Sequence, residues 1–345
     1  MDLSLKDNAI SDFHIITSSE VHENLIKLKC NFKIFYKYEV SNFYGFFSIF
    51  KKKAFIQNPQ NKLFVFFGPL YTFRIKCFCI MGFAQPWIIY PKNEIYNRST
   101  LIMKLFYILK YDIQKYFYNK SNILFVEHSH VRDELSKINI FKKKNIKIIQ
   151  NSISNIFLQK NDWLDINEEK LNSTKFKIGF LGRNYQHKNT SILIAVKSIL
   201  LTKYNIDALF FVTFDNDEWN KCSQDFKNEI NNLGKLTLAQ CPTFYNKINA
   251  VIFPSLLECF SVTPIEALFM GKPLFASNRN YISNICLKYA FYFNPLDPFD
   301  IAKIISNYIL NNKNFDDNKL HAKEYVLKNF NSTNRTNQYL DLLKD

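Results

Sequence analysis

The stretch from Ala250 to Ser277, AVIFPSLLECFSVTPIEALFMGKPLFAS, constrains the fold more than any other. Ala250 to Phe253 is a short apolar run ended by Pro254 and Ser255, as a buried strand entering a loop would be. Thr263 and Pro264 announce a helix, with Thr263 as N-cap, Pro264 at the first helical position and Glu266 three residues after the cap. Gly271, Lys272 and Pro273 stop it. The whole reads as strand, loop, helix, strand, with Glu258 and Glu266 placed around a helix start.

Two readings of those carboxylates are open. In one, T-P-I-E is a capping box in which Glu266 satisfies the backbone N–H of Thr263, and Glu258 is an ordinary loop carboxylate. In the other, the free N–H groups and positive dipole end of the helix hold an anion, typically a phosphate. Carboxylates beside a phosphate repel it, so they make sense only if they reach past it to hydroxyls. A ligand with hydroxyls on both sides of its phosphates is a nucleotide sugar.

At 345 residues the chain has the length of two α/β domains. Its 47% apolar share, with 35 Phe and 19 Tyr, can fill two cores, while seven glycines leave little material for a G-x-G-x-x-G or Walker-type loop, and neither occurs. The seven cysteines (30, 77, 79, 222, 241, 259 and 286) lack C-x-x-C spacing and read as reduced, mostly buried thiols of a cytosolic protein. With no run of about eighteen apolar residues and no signal-peptide pattern in MDLSLKDNAISD, neither membrane spanning nor secretion is expected.

Charge is uneven. Residues 1 to 150 carry 23 Lys and Arg against 11 Asp and Glu, and residues 151 to 345 carry 22 against 19. The basic half, with clusters Lys51 to Lys53 and Lys142 to Lys144 beside aromatic-rich segments, points to an anionic partner. An anionic membrane surface fits that asymmetry, and nucleic acid is suggested by nothing beyond the net charge.

In the first half the strand candidates are His14 to Thr17, Phe32 to Tyr36, Leu63 to Phe67, Lys76 to Met81, Ile123 to Val126 and Ile146 to Ile149. Ser99 to Tyr118 has apolar residues at helical spacing and lysines between them, which predicts a core-facing helix, with a membrane-surface helix as the alternative. Gly68-Pro69 and Gly82 to Trp87 end two strands and are candidate walls for an acceptor. His128 and His130 beside Glu127 lack a fourth ligand at a sensible spacing, and Ser129 more simply caps the next helix.

After Asn151, residues 158–175 are polar, as a linker and domain entry should be. Phe176 to Leu181 then forms a strand, Gly182 to Lys188 a loop, and Asn189 onward a helix with Ile192, Leu193, Val196 and Leu200 on its apolar face. Strand, basic loop, helix start is again an anion-binding geometry, here with Arg183 and Lys188 adding full charges. The segments from Ala208 to Phe269 continue the strand and helix alternation, which predicts a parallel sheet with all strand ends on one side. The two anion sites would then converge on one ligand. Asp215-Asn216-Asp217 resembles a cation-holding D-x-D, yet acidic turns after strands are common.

These residues carry a resemblance. The second half resembles the donor domain of glycosyltransferase family 4, the retaining GT-B enzymes. FLGRNYQHKN matches the family's G-R-x(n)-K loop, ECFSVTPIE its E-x7-E motif, and IIQNSISNIF the entry to the donor domain. FFGPLYTFR, GFAQPWIIYP and FVEHSHVRDEL are more loosely similar to bacterial members that build O-antigen or capsule.

The resemblance implies two Rossmann-like βαβ domains with parallel sheets facing a central cleft. Their bounds would be 1–152 on the acceptor side and 153–320 for the donor, with helices in 321–345 packing back on the first domain. It further implies that Arg183 and Lys188 bind the diphosphate and stabilise the charge on it as the sugar departs. Glu258 would contact the donor sugar, the backbone of Gly182, Phe260, Ser261 and Val262 the sugar and phosphate, and Glu266 the ribose hydroxyls. No metal or other cofactor is expected, only a nucleoside-diphosphate sugar as co-substrate. The acceptor would be a saccharide, lipid-linked, met at the cytoplasmic face of the inner membrane. Cys259 and Ser261 stand where the family usually has glycine, and the family's first strand and glycine-rich loop are not found, as if the chain began late. A nucleotide-sugar epimerase or hydrolase on the same fold, and a non-catalytic saccharide- or membrane-binding protein, are the alternatives.

Overall fold

A computed structural model describes residues 13–27, 31–41, 56–167, 169–311 and 315–344. Lys51 to Lys53 and Cys30 fall outside these residues. The chain forms two compact units, one of residues 1–84, 107–150 and 332–345, the other of 85–106 and 151–331.

In the first unit β1 (His14–Thr17) and β2 (Lys37–Val40) pair in parallel, with α1 (Ser19–Lys27) between them in sequence. The strand expected at Phe32 to Tyr36 is instead a 3-10 turn, Phe32–Ile34, and the strand starts later. Asn31 is the cause: its side chain accepts from the Lys33 N–H at 3.1 Å and draws the chain into the turn. A second, four-stranded parallel sheet has the order β3 (Lys62–Val65), β4 (Phe78–Gly82), β5 (Ile123–Val126), β6 (Asn145–Ile148). Ile80, Ile123, Phe125 and Ile149 form its core with Tyr339 and Leu342 of the C-terminal helix Ser332–Lys344. That helix is pinned by Arg335, which binds the buried Glu127 carboxylate at 3.1 Å.

The periodic segment forms α2 (Leu101–Asn119), but not with the expected face inward. Tyr111, Gln114, Phe117 and Tyr118 are buried, whereas Leu101, Leu105, Ile108, Leu109 and Ile113 are exposed. Aromatic packing and one polar contact decide the orientation: Phe117 meets Tyr71 edge-on at 5.2 Å, and Gln114 donates to the Tyr71 hydroxyl at 3.0 Å. Helix α3 (Ser129–Ser136) is capped by His128 rather than by Ser129, because the extended backbone of His128 aims its Nδ1 at the His130 N–H.

The second unit holds a six-stranded, wholly parallel sheet in the order β12-β11-β10-β7-β8-β9. Its strands are β7 (Lys177–Phe180), β8 (Leu209–Val212), β9 (Asn231–Asn232), β10 (Ala250–Phe253), β11 (Leu274–Ser277) and β12 (Phe291–Phe293). The chain builds outward from β7 to β9, then crosses back to lay β10 on the other side of β7, pairing Ala250 with Ile178. The order therefore reverses between β7 and β10, which is where doubly wound sheets open a crevice at their strand ends. Alternate residues of β10 enter two different cores: Val251 and Phe253 pack with α5 (Val262–Phe269), Ala250 and Ile252 with α4 (Ile192–Tyr204) and α6 (Pro298–Asn311). Between α4 and α5 the pattern from Trp219 to Ile230 breaks into two short helices, Asn216–Asn220 and Gln224–Glu229, the second capped by Ser223. Of the described cysteines, Cys77, Cys79, Cys241, Cys259 and Cys286 are buried, Cys222 is half-buried, and none forms a disulfide.

Gly82 closes β4 against the chain leaving β3. A Cβ there would lie 1.6 Å from the Phe66 carbonyl oxygen and 2.5 Å from the Phe125 ring. Because the first obstacle is backbone, the neighbour cannot rotate away. Gly82→Ala should cost about 2–3 kcal/mol, read as a fall in the urea midpoint without a change in slope.

Candidate active site

Two loops leave the sheet at its reversal, one after β7 and one after β10. The first opens on Gly182, whose N–H donates to the Thr213 hydroxyl at 3.1 Å and so ties the loop to the end of β8. Arg183 is held by two carboxylates, its Nε 2.7 Å from Glu218 Oε1 and its Nη2 2.8 Å from Asp215 Oδ2. Asp215 caps the short helix Asn216–Asn220, and Glu218 returns its carboxylate to the Asp215 N–H. The D-x-D is thus a helix cap that also binds an arginine. Among the described residues no three His, Cys, Asp or Glu side chains gather as metal ligands; His128 and His130 face each other with their Nδ1 atoms 2.9 Å apart.

The loop then folds into a 3-10 turn, Gln186–Lys188, closed by Asn189 in the left-handed conformation at φ 55°. Asn is among the few non-glycine residues that adopt this conformation at small cost, and its side chain is occupied as a donor to the Pro295 carbonyl at 2.7 Å. The turn carries Lys188 to the end of β10, where its Nζ lies 2.5 Å from Glu258 Oε1. Glu258 is buried and also accepts from the Ser255 hydroxyl at 2.7 Å. The Leu256 N–H donates to the His187 carbonyl at 2.7 Å, lacing the two loops together. Burial pushes the His187 imidazole below its ordinary pKa despite Glu258 nearby, so Lys188 supplies the local positive charge.

Helix α5 begins two residues earlier than expected. Ser261 is the cap and makes no side-chain capping bond, while the Thr263 hydroxyl donates instead to the Leu181 carbonyl at 3.3 Å. Pro264 is accordingly the third helical residue, and of the two readings the capping box does not form. The N–H groups at this start, around Ser261 and Val262, have no partner within the helix. Glu266 is buried one turn further in and accepts from the Tyr245 hydroxyl at 3.0 Å.

The geometry brings Lys188, Glu258 and the Phe260–Val262 helix start together. Arg183 flanks them on its own carboxylates, and Glu266 lies deeper. Ser255, Thr213, Glu218 and Tyr245 join the site through the fold. No local spacing announces them, since Tyr245 stands 21 positions from its partner and Glu218 35 from Arg183. Outside the loop, Trp87, Tyr90 and Ile95 pack on Leu256 and Leu257, and Arg279 pairs with Glu94. Of the residues Gly82 to Trp87 expected to wall an acceptor, Trp87 packs on the loop that carries Glu258.

Burial raises the Glu266 pKa from 4.5 to about 7, with the Tyr245 hydrogen bond opposing the rise. Between those values the folded state binds more protons than the unfolded chain, so this residue's contribution is complete below pH ~4.5 and is lost as pH rises through about 7. The loss is on the order of 3 kcal/mol. Glu266→Gln should flatten this dependence: the stability difference between variant and wild type, from urea unfolding at pH ~4.5 and ~8, should grow in the variant's favour toward pH ~8.

Residues 161–324 match the family model for Glycosyl transferases group 1. O-antigen chain mannosyltransferase RfbU of Salmonella typhimurium is 25% identical over 230 residues, covering 65% of this chain. The chain spans 60% of that protein's length. Sucrose-phosphate synthase from Thermosynechococcus elongatus superposes with a TM-score of 0.62 at 14% identity over 79% of this chain and 68% of its own. HepE of Anabaena, solved in complex with UDP and glucose, superposes with a TM-score of 0.58 at 15% identity over 78% of this chain and 72% of its own. With its two units of parallel sheet and helices, the chain has the GT-B fold, and its residues 161–324 are similar to the Glycosyl transferases group 1 domain.

Proposed function

We propose that the protein is a retaining, metal-independent glycosyltransferase of the family 4 type, moving a sugar from a nucleoside-diphosphate sugar to a saccharide acceptor, lipid-linked, in surface-polysaccharide synthesis. The observation that carries this reading is the meeting of Lys188, Glu258 and the start of α5 at the sheet reversal. A diphosphate at the helix start gains its N–H groups and dipole, and Lys188 lies beside Glu258 to offer a full charge. Glu258, fixed by Lys188 and Ser255, presents an acceptor to sugar hydroxyls, and Glu266 does the same for the ribose. A GT-B fold, a mannosyltransferase relative and a structural neighbour solved with UDP and glucose agree with a donor of this class.

In the reaction the bond from the sugar's anomeric carbon to the diphosphate oxygen breaks, and the acceptor oxygen bonds to the same carbon on the same face. The acceptor's proton leaves with the diphosphate. The negative charge that grows on the departing oxygen is what Lys188 and Arg183 stabilise, so their contribution increases toward the transition state. For Arg183 this requires the diphosphate to compete with Glu218 and Asp215, which hold the guanidinium in the free protein.

Glu266→Ala should weaken nucleotide binding by roughly 1.5–3 kcal/mol. Removing Arg183 or Lys188 should lower turnover on the order of 10²–10³-fold. Thermal shifts against UDP, GDP, CMP and their sugar conjugates select the donor, and transfer assays follow. Unchanged affinity and turnover in all three variants would refute the site, and donor conversion without acceptor would favour epimerisation or hydrolysis.

A further inference from the structure

Helix α2 is apolar on the side opposite its core. At roughly 100° per residue, Leu101, Ile102, Leu105, Ile108, Leu109 and Ile113 share one arc of roughly 140°, while Tyr111, Gln114, Phe117 and Tyr118 are buried on the other side. The six aliphatic residues are between 44% and 80% exposed. Single exposed aliphatics are common on protein surfaces, but a continuous stripe of this size is not.

The charges border the stripe. By the same geometry Lys104 and Lys115 run along one margin, Lys110 lies some way past the other, and Lys120 stands just past the helix end. Against these four lysines the helix has one acid, Asp112, which falls within the arc and is neutralised by Lys115 at 2.8 Å. Beside Ile113 the apolar surface continues off the helix into a cavity of about 610 Å³ whose walls include Tyr71, Phe73, Tyr116 and Phe117. Phe73 is 66% exposed at its mouth.

We propose that this face docks on an anionic lipid bilayer, lying in the plane of the headgroups. The aliphatic stripe would sink to the acyl boundary, the bordering lysines would reach phosphates with their ammonium groups, and the aromatic cavity would admit hydrocarbon from the same leaflet. Docking of this kind differs from spanning: among the described residues no helix is long and apolar enough to cross a membrane. The lysines around the stripe match the negative charge that an anionic bilayer surface presents. The site needs no sugar chemistry, although a lipid-linked acceptor would give it a use.

The test is sedimentation of the full chain with phosphatidylcholine vesicles and with vesicles containing about one third phosphatidylglycerol. Wild type should bind the anionic vesicles, more weakly at high salt, and the neutral ones far less. Ile108→Ser/Leu109→Ser/Ile113→Ser should reduce binding about tenfold or more. Since all three side chains are exposed, circular dichroism of this variant should match wild type. Lys104→Glu/Lys110→Glu should abolish the preference for anionic lipid. The proposal is overturned if wild type binds neither vesicle, if it binds both equally, or if the serine variant binds as wild type does. It is equally overturned if that variant instead dissociates a dimer in size-exclusion chromatography with vesicle binding unchanged. Vesicle binding without any sugar transfer would leave the docking in place and count against the transferase reading alone.

Discussion

The ion pair between Lys188 and Glu258 joins the two loops on either side of the sheet reversal, and the geometry of the site depends on it. Taking two charges out of water is expensive, and their attraction repays that cost only when geometry is good and the remaining atoms are satisfied. Here a serine hydroxyl serves the same carboxylate oxygen, a backbone N–H to His187 fixes the approach of the loops, and Trp87 and Ile95 close the outside. Replacing one partner would strand the other. The pair is better understood as a device that keeps a cation and a carboxylate in register than as a source of net stability.

Arg183 is treated differently. It lies in the same loop but is bound by Glu218 and Asp215 at the end of the neighbouring strand, with the Asn184 N–H sharing Glu218. A guanidinium so held is pre-aligned and costs less rotamer entropy when a ligand arrives, but the ligand must displace or share its carboxylates. One loop therefore holds a lysine committed to the site and an arginine held at its margin.

Much of the second unit can be read from residues. Apolar runs bounded by Pro, Gly and Asn mark β7, β8 and β10 within a residue or two, and Gly271, at φ 65°, ends α5 where expected. The meeting of the two anion-binding loops followed from parallel strands alone, since all crossovers share one hand. The finer assignments depended on competition that sequence does not reveal. Thr263 reads as a cap, but the Leu181 carbonyl, far away in sequence, takes its hydroxyl. Two-residue β9 is built of asparagines, which strands normally avoid, and Asn232 earns its place with side-chain bonds to the backbone of Phe214. Helix α2 was legible as a helix but not in its orientation, because both of its sides are apolar and only the fold chooses between them.

The two ends of the six-stranded sheet have a further consequence. An edge strand presents unpaired N–H and C=O groups that can template pairing with another chain, and long, flat, apolar edges invite it. This sheet ends on one side in two asparagines and on the other in the three residues Phe291–Phe293. Neither edge offers the run of backbone that a foreign strand needs. In a chain with 35 phenylalanines, it is strand length at the margins, rather than composition, that keeps this sheet from growing at its borders.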